Sequence, residues 1–191
     1  MRAAEFDRSE VLQSAMNAFI AKGYSKTSMQ DLKKATGLHP GSIYCAFESK
    51  KGLLMAALDH YSHEQNRKFD AYFSHAPSIR EGFLALFDSI VSECECNGIK
   101  DCLLQKSLGD ITEDDEEVSK KVDELINASK HRLYARLIEA QQTGEIANDT
   151  DCVFLCEYLT MNIYGLRSYA HTTPAPGILR QLANAVVEKI R

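Results

Sequence analysis

Apolar residues recur every three or four positions along almost the whole of this 191-residue chain. β-Branched residues nowhere alternate with polar ones for long enough to indicate a strand. The gaps in the apolar pattern are marked by glycine or proline, and all prolines but Pro40 lie in such gaps. We therefore predict an all-α fold of about nine helices.

Capping signals predict where these helices begin and end. The first should follow the N-cap residue Asp7, with Glu10 three positions later. Phe6 and Val11 would form a hydrophobic staple, and Gly23 would end the helix. Asp149 or Thr150 should open a helix that runs to about residue 170. The other later helices should cover about residues 49–73, 78–95, 101–109, from the acidic stretch 113–117 to 142, and 177–190.

Residues 27–47 contain the capping and turn residues that are typical of a helix-turn-helix. Thr27 or Ser28 would cap a short first helix. Gly37 supplies the left-handed backbone that a sharp turn requires, and Leu38 would fill the corner. The inward face of the first helix should consist of Met29, Leu32 and Ala35.

The second helix of this motif should present a polar outer side. Pro40 suits its first turn, where a missing N–H costs no hydrogen bond. Ile43 and Phe47 lie four residues apart and would face the core. A major groove admits one helix, whose N-terminal polar groups read the base edges, and Tyr44 and Lys50 are placed to hold phosphates. The outer side is left to His39, Gly41, Ser42, Tyr44 and Cys45.

The charge of the chain is distributed unevenly. Residues 1–52 contain eight Lys and Arg against five Asp and Glu, which gives them a net charge of +3. Because the whole chain has a net charge of −5, the remaining 139 residues have a net charge of −8. A basic N-terminal module on an acidic body is suited to a polyanionic partner.

The N-terminal motifs are Ala18-Phe19, Gly23-Tyr24, Thr27-Ser28-Met29, Leu32, Ala35, Gly37-Leu38, Gly41-Ser42-Ile43-Tyr44, Phe47, Ser49-Lys50 and Leu53-Leu54. With this run, about residues 5–60 resemble the N-terminal domain of the TetR family of bacterial transcriptional regulators. The resemblance implies a repressor with a DNA-binding domain at 5–65 and a helical effector-binding and dimerisation domain at 66–191. Its recognition helix, from His39 to Cys45, would enter the major groove of a palindromic operator. The implied DNA-binding residues are Thr27, Ser28, His39, Pro40, Gly41, Ser42, Tyr44, Cys45 and Lys50.

Three positions depart from the family pattern. Serine or threonine is more usual at His39, and histidine or another polar residue at Cys45, so both departures should alter base preference. An acidic residue is usual at Gly52, and its absence removes a capping partner for Ser49.

The end of the chain indicates a homodimer formed through the last two helices. Apolar residues cover more than one face of each of these helices, which requires burial on two sides. Two copies would read half-sites about 34–36 Å apart, or a multiple of that spacing. The apolar residues are Val153, Phe154, Leu155, Tyr158, Leu159, Met161, Ile163, Tyr164 and Leu166, then Ile178, Leu179, Leu182, Ala183, Val186, Val187 and Ile190.

The resemblance also implies a small-molecule effector whose binding changes the spacing of the two DNA-binding domains. Such a ligand must bind one arrangement better than the other. Each candidate pocket residue is also a plausible ordinary core residue. These candidates are Phe83, Phe87, Leu103, Leu104, Tyr134, Leu137, Tyr158 and Asn162.

The cysteines suggest an alternative signal. Cys94, Cys96 and Cys102 surround a glycine turn, and Lys100, Lys106 and a helix N-terminus would favour a thiolate on Cys102. The protein would then be a redox or electrophile sensor. The resemblance also allows a plain structural role, because a cysteine at the start of this helix is common in the family. Metal binding is disfavoured because one residue between ligands is too tight for a zinc site.

Other classes of protein fit poorly. A cysteine-dependent enzyme would need a base that converges on the thiol, and the six histidines form no such constellation. No cofactor motif is present, and no apolar run is long enough for a membrane span. The first six residues lack an apolar export segment, so we expect a cytoplasmic protein.

Overall fold

The computed structural model describes residues 6–96, 102–110 and 115–190, which contain nine α-helices and no strand. The all-α prediction is confirmed for this part of the chain, and none of its helices is both long and apolar enough to cross a bilayer. The helices are α1 (Arg8–Lys22), α2 (Met29–Thr36), α3 (Pro40–Phe47), α4 (Lys50–Ser74), α5 (Ile79–Cys96), α6 (Leu103–Asp110), α7 (Glu116–Gln142), α8 (Cys152–Ala170) and α9 (Ile178–Val187).

Side-chain caps fix the ends of the helices close to the predicted positions. Asp7 Oδ1 accepts hydrogen bonds from the backbone N–H of Ser9 at 2.8 Å and of Glu10 at 3.2 Å, and Gly23 ends α1 with a φ of 81°. The predicted N-cap of α8 was wrong by one or two residues. Asp151 caps this helix instead of Asp149 or Thr150, because its carboxylate accepts the N–H groups of Val153 at 3.0 Å and Phe154 at 2.9 Å.

One compact unit contains α1–α3, the first part of α4, α6 and the first part of α7, within residues 1–65 and 102–126. Here α1 packs against α2 and α6, and α2 packs against α3. Ala35 is exposed, so its predicted inward orientation is wrong. The buried stripe of α2 passes from Leu32 to half-buried Thr36, whose hydroxyl donates to the Leu32 carbonyl. The core of the unit includes Val11, Ala15, Phe19, Leu32, Ile43, Phe47, Leu53, Leu54, Ala57 and Leu58.

The second compact unit contains residues 66–101 and 127–191, with α5, α8 and α9 packed against one another. Phe73 and Phe83 meet edge to face at 5.1 Å between ring centroids. The Arg167 guanidinium is buried and lies 2.6 Å from a carboxylate oxygen of Glu93. Arg180 of α9 pairs with Asp88 of α5. These ion pairs supplement a core of apolar side chains that all three helices share.

Residues 102–126 fall in the first unit, whereas the sequence pattern predicted that all of 66–191 forms one C-terminal domain. The physical reason is that α6 packs against α1. The functional division at residue 65 therefore stays a prediction.

Candidate nucleic-acid interface

The start of α2 is held by a reciprocal capping box. The Ser28 hydroxyl accepts from the Asp31 N–H at 3.2 Å and donates to the Asp31 carboxylate at 2.7 Å. The carboxylate also accepts the Ser28 N–H at 3.0 Å and lies 2.6 Å from Lys22 Nζ. These hydrogen bonds, chiefly the one from Lys22, hold the pKa of Asp31 well below its usual range. Asp31 therefore stays ionised, which keeps the start of α2 fixed.

The turn between α2 and α3 is formed as the sequence predicted. Gly37 is left-handed with a φ of 72°, which favours glycine. His39 is the N-cap of α3, and its Nδ1 accepts the Gly41 N–H at 3.4 Å. Pro40 occupies the first helical turn. The two short helices thus join through a defined corner.

The outer face of α3 consists of His39, Gly41, Ser42, Tyr44 and Cys45. All of them are exposed except Ser42, which is half-buried, and the Tyr44 side chain is 49% exposed. Ile43 and Phe47 on the opposite side are buried in the core. The structure therefore brings the five predicted groups onto one accessible surface.

Two predicted DNA-contacting side chains make hydrogen bonds within the fold. Thr27 is 1% exposed, and its hydroxyl donates to the Gly23 carbonyl at 2.6 Å. Neither the Thr27 side chain nor its bonded N–H faces solvent, so neither is available to contact DNA. Ser28 is exposed, but its hydroxyl proton is donated within the capping box.

Lys50 lies at the first turn of α4 with its Nζ 4.4 Å from the centroid of the Tyr24 ring. This is the geometry of a cation–π interaction. Burial lowers the pKa of Lys50, and the nearby Asp115 opposes this shift. Burial also raises the pKa of Tyr24, and Asp115 adds to that effect. A phosphate bound by Lys50 would therefore compete with an aromatic and a carboxylate neighbour.

The connection from α3 to α4 is tighter than the sequence pattern indicates. Glu48 has a φ of 65° and a ψ of −39°, and the Ser49 N–H donates to the Phe47 carbonyl at 2.7 Å. These features form a γ-turn with positive φ, which is rare and strained for a residue other than glycine.

Gly52 has a steric role that sequence reasoning missed. The Ser49 hydroxyl accepts the Gly52 N–H at 2.9 Å, so Ser49 caps α4 without an acidic partner. A Cβ at position 52 would come closer than 3.0 Å to the Phe47 carbonyl oxygen. The absent side chain thus allows α3 to approach the first turn of α4.

The predicted effector residues belong to both compact units. Leu103 and Leu104 lie in the first unit, and the other six lie in the second. Phe83, Phe87 and Leu137 are fully buried, whereas Tyr134 is exposed. Tyr158 and Asn162 line an open groove of about 220 Å³ on α8 and α9. The effector pocket stays a prediction.

The cysteine cluster lies partly outside the described residues. Lys100 and the Cys96 side chain belong to the part that is not described. Cys94 and Cys102 are buried, and the Cys102 sulfur accepts the Gln105 N–H at 3.2 Å near the start of α6. Buried thiols are usually inert, so these positions give no support to a thiol sensor. Among the described residues, no group of three His, Cys, Asp or Glu is arranged to hold a metal ion.

A stripe of apolar residues lies on the surface of α8. We call Phe154, Tyr158, Met161, Gly165 and Tyr169 the α8 stripe, because their spacing of three or four places them along one side of the helix. Phe154 is 69% exposed, and Met161 and Tyr169 are also exposed. Leu182 of α9 adjoins the stripe across the open groove. Contiguous apolar surface of this kind is typical of a protein–protein interface.

Comparison with known proteins agrees with this architecture. The family model described as bacterial regulatory proteins of the tetR family matches residues 11–57. The transcriptional repressor ComR of Escherichia coli (strain K12) is 28% identical over 187 residues, which cover 95% of this chain and 88% of ComR. The uncharacterised regulator YezE of Bacillus subtilis (strain 168) is 26% identical, with 90% of each chain covered. The relatives therefore match this chain over nearly its full length.

Solved structures of the TetR family regulator CifR have the same fold. A cysteine-substituted CifR in complex with a 26-base-pair operator duplex is 27% identical to this chain, with a TM-score of 0.90 and all of both chains covered. A second CifR complex with operator DNA is 28% identical, with a TM-score of 0.88 and 98% of each chain covered. These matches support a DNA-binding transcriptional regulator of the TetR type, in which residues 11–57 match the family model.

Proposed function

We propose that the protein is a homodimeric repressor that binds a palindromic operator and is released by a small-molecule effector. The observation that carries this proposal is the outer face of α3, which is exposed on a helix fixed by caps at its start and by buried Ile43 and Phe47 behind it. ComR is named as a repressor, and CifR is bound to operator DNA, which supports the same role here.

The outer face of α3 supplies two kinds of contact in this proposal. His39 and Cys45 reach base edges in the major groove, and the missing side chain of Gly41 allows the backbone to approach closely. Tyr44 and Lys50 bind phosphates and set the register of the protein on the duplex. Pro40 and Ser42 complete the surface, and Ser28 contributes at the start of α2. We also propose a cytoplasmic location, because this role requires access to operator DNA.

A salt titration tests the proposed phosphate contacts. We expect Lys50→Ala to weaken binding to every duplex and to reduce the slope of log affinity against log salt concentration by about one. Lys189→Ala is the matched control, because it removes an exposed lysine of the other compact unit. Equal salt slopes for wild type, Lys50→Ala and Lys189→Ala would contradict the proposed role of Lys50.

Dimerisation through α8 and α9 supplies a second copy of the α3 outer face for the other half of the operator. The α8 stripe and Leu182 would be covered by the same residues of a second copy around a twofold axis. We therefore assign Tyr158 and Asn162, which line the adjoining groove, to this interface and not to the effector pocket.

Two leucine substitutions test the interface. Leu182→Glu should produce monomers in analytical ultracentrifugation and lower operator affinity, because it places a charge in an apolar interface. Leu108→Glu is the control, since Leu108 of α6 is 48% exposed and Leu182 is 43% exposed. If the Leu182→Glu variant were as dimeric as the Leu108→Glu variant, this interface would be excluded.

The effector is the least defined component. Its binding must favour the arrangement of the two DNA-binding domains that does not fit the operator. Footprinting on DNA that flanks the gene, repeated with a panel of small molecules and oxidants, would identify both operator and effector. An operator complex that no compound releases would contradict the inducible part of the proposal.

A further inference from the structure

The imidazole of His39 has a defined orientation at the start of α3. Its Nδ1 accepts the Gly41 N–H at 3.4 Å, so this nitrogen carries no proton in the capped state. A neutral imidazole has one N–H, which must then be on Nε2. His39 therefore offers a hydrogen-bond donor, and no acceptor, on the side of the ring away from the helix.

The backbone of His39 is also fixed. A residue before proline is restricted to extended conformations, and His39 has a φ of −63° and a ψ of 144°. Pro40 thus holds the cap geometry that places the ring. The Nδ1 atom lies 3.7 Å from where a Cβ at position 41 would be, so the ring extends over the bare backbone of Gly41. Little side-chain freedom remains to be lost when the ring meets a ligand.

The rest of α3 lacks the side chains that usually read bases. Its sequence, PGSIYCAF, contains no Arg, Lys, Asn, Gln, Asp or Glu. The Ser42 side chain is short, the Tyr44 side chain is a rigid aromatic ring, and the Cys45 thiol is a weak hydrogen-bond donor. Direct readout by hydrogen bonds from this helix therefore depends chiefly on its N-cap residue.

We propose that His39 specifies a guanine in each operator half-site by donating its Nε2–H to the N7 and O6 edge. Guanine presents two adjacent acceptors in the major groove, whereas adenine presents a donor beside its N7. Cytosine presents only a donor, which would face the Nε2–H unfavourably. Thymine has an acceptor, but its methyl group crowds the approach. The proposal rests on the proposed function, because it needs α3 in the major groove.

Single-atom changes in the DNA test this assignment. Duplexes are first selected from a random pool with the full-length wild-type protein, and each guanine is then replaced in turn by 7-deazaguanine, which keeps base pairing and lacks N7. We expect one position per half-site at which wild-type affinity falls by about 2- to 12-fold, the effect of one hydrogen bond. His39→Ser should be insensitive at that position, because serine keeps the cap but cannot reach the base.

A control variant and an NMR measurement separate the possible failures. Lys189→Ala changes an exposed side chain outside the proposed DNA contacts and should keep the wild-type pattern of sensitivity. The proposal is overturned if His39→Ser keeps that pattern, or if wild type binds its selected duplex with no position sensitive to 7-deazaguanine. It is also overturned if ¹⁵N NMR finds the proton of neutral His39 on Nδ1. Failure of wild type to bind any duplex would instead refute the proposed function and this inference with it.

Discussion

Replacement of Gly52 by alanine tests the tight connection between α3 and α4. In an unobstructed helix this substitution stabilises by about 1 kcal/mol, because alanine loses less backbone entropy on folding. Here the new Cβ would be closer than 3.0 Å to the Phe47 carbonyl oxygen and 3.2 Å from the carbonyl carbon. The obstruction is backbone, so it cannot rotate away as a flexible side chain could.

The two effects have opposite signs, and the steric one should dominate. Overpacking costs about 1–3 kcal/mol, and relief of the overlap would also disturb the Ser49 cap of α4. Loss of the cap costs about 1 kcal/mol and cancels the entropic gain, so we expect a net loss of about 1–3 kcal/mol, which lowers Tm by about 2–12 °C for a chain of this length. Displacement of Phe47 would also move the outer face of α3, so operator affinity should fall even where the variant is fully folded.

Thermal unfolding followed by circular dichroism, at one fixed protein concentration, measures the effect. Gly41→Ala is the matched control, because its Cβ would meet only His39 Nδ1 at an ordinary contact distance of 3.7 Å. The control should melt at the wild-type temperature or above it. If Gly52→Ala were as stable as Gly41→Ala, the steric reasoning would be refuted.

Three further predictions concern the second unit and the thiols. Glu93→Gln should lower the free energy of unfolding by about 3–5 kcal/mol in urea titrations, because it removes the carboxylate that lies against the buried Arg167 guanidinium. Glu157→Gln, which removes an exposed ion pair, should cost at most about 1 kcal/mol, and equal losses would contradict the distinction. Burial raises the pKa of Glu93, but Arg167 and Lys68 together more than offset this effect, so the folded-state pKa is lowered. The stability from these pairs is present above about pH 4.3 and is lost as pH falls through the folded pKa, a dependence that Glu93→Gln should remove. With a thiol reagent under native conditions, exposed Cys45 should react well before Cys156, whose pKa is raised chiefly by burial, and the reverse order in mass spectrometry would contradict the structure.

Local signals made much of the fold predictable. Asp7, Gly23, Gly37 and Pro40 determine backbone conformation within a few residues, so their effects can be inferred without tertiary contacts. Ile43 shows the same for burial, because its place in a helical period settles which side faces the core. The helix-turn-helix follows from such short-range rules.

The features that escaped prediction depend on neighbours distant in sequence or on backbone packing. Thr27 has the side chain of a DNA contact, yet the way the chain folds back on α1 turns its hydroxyl to the Gly23 carbonyl. In the sequence, Gly52 indicates only that an acidic capping residue is absent. Its steric role depends on the Phe47 carbonyl, which lies beside it in the folded chain. The grouping of α6 with α1 likewise has no signature in the composition of either helix. Each of these outcomes is decided by packing, which periodicity does not encode.

The α8 stripe has a consequence for how the regulator responds to its own abundance. The proposed homodimer would cover Phe154 and Met161, whereas a single chain exposes them to water, where they favour adhesion to other apolar surfaces. If pairing is required for tight operator binding, occupancy at low copy number rises with the square of the chain concentration. A small change in synthesis rate would then switch the target promoter more sharply than a monomeric regulator could.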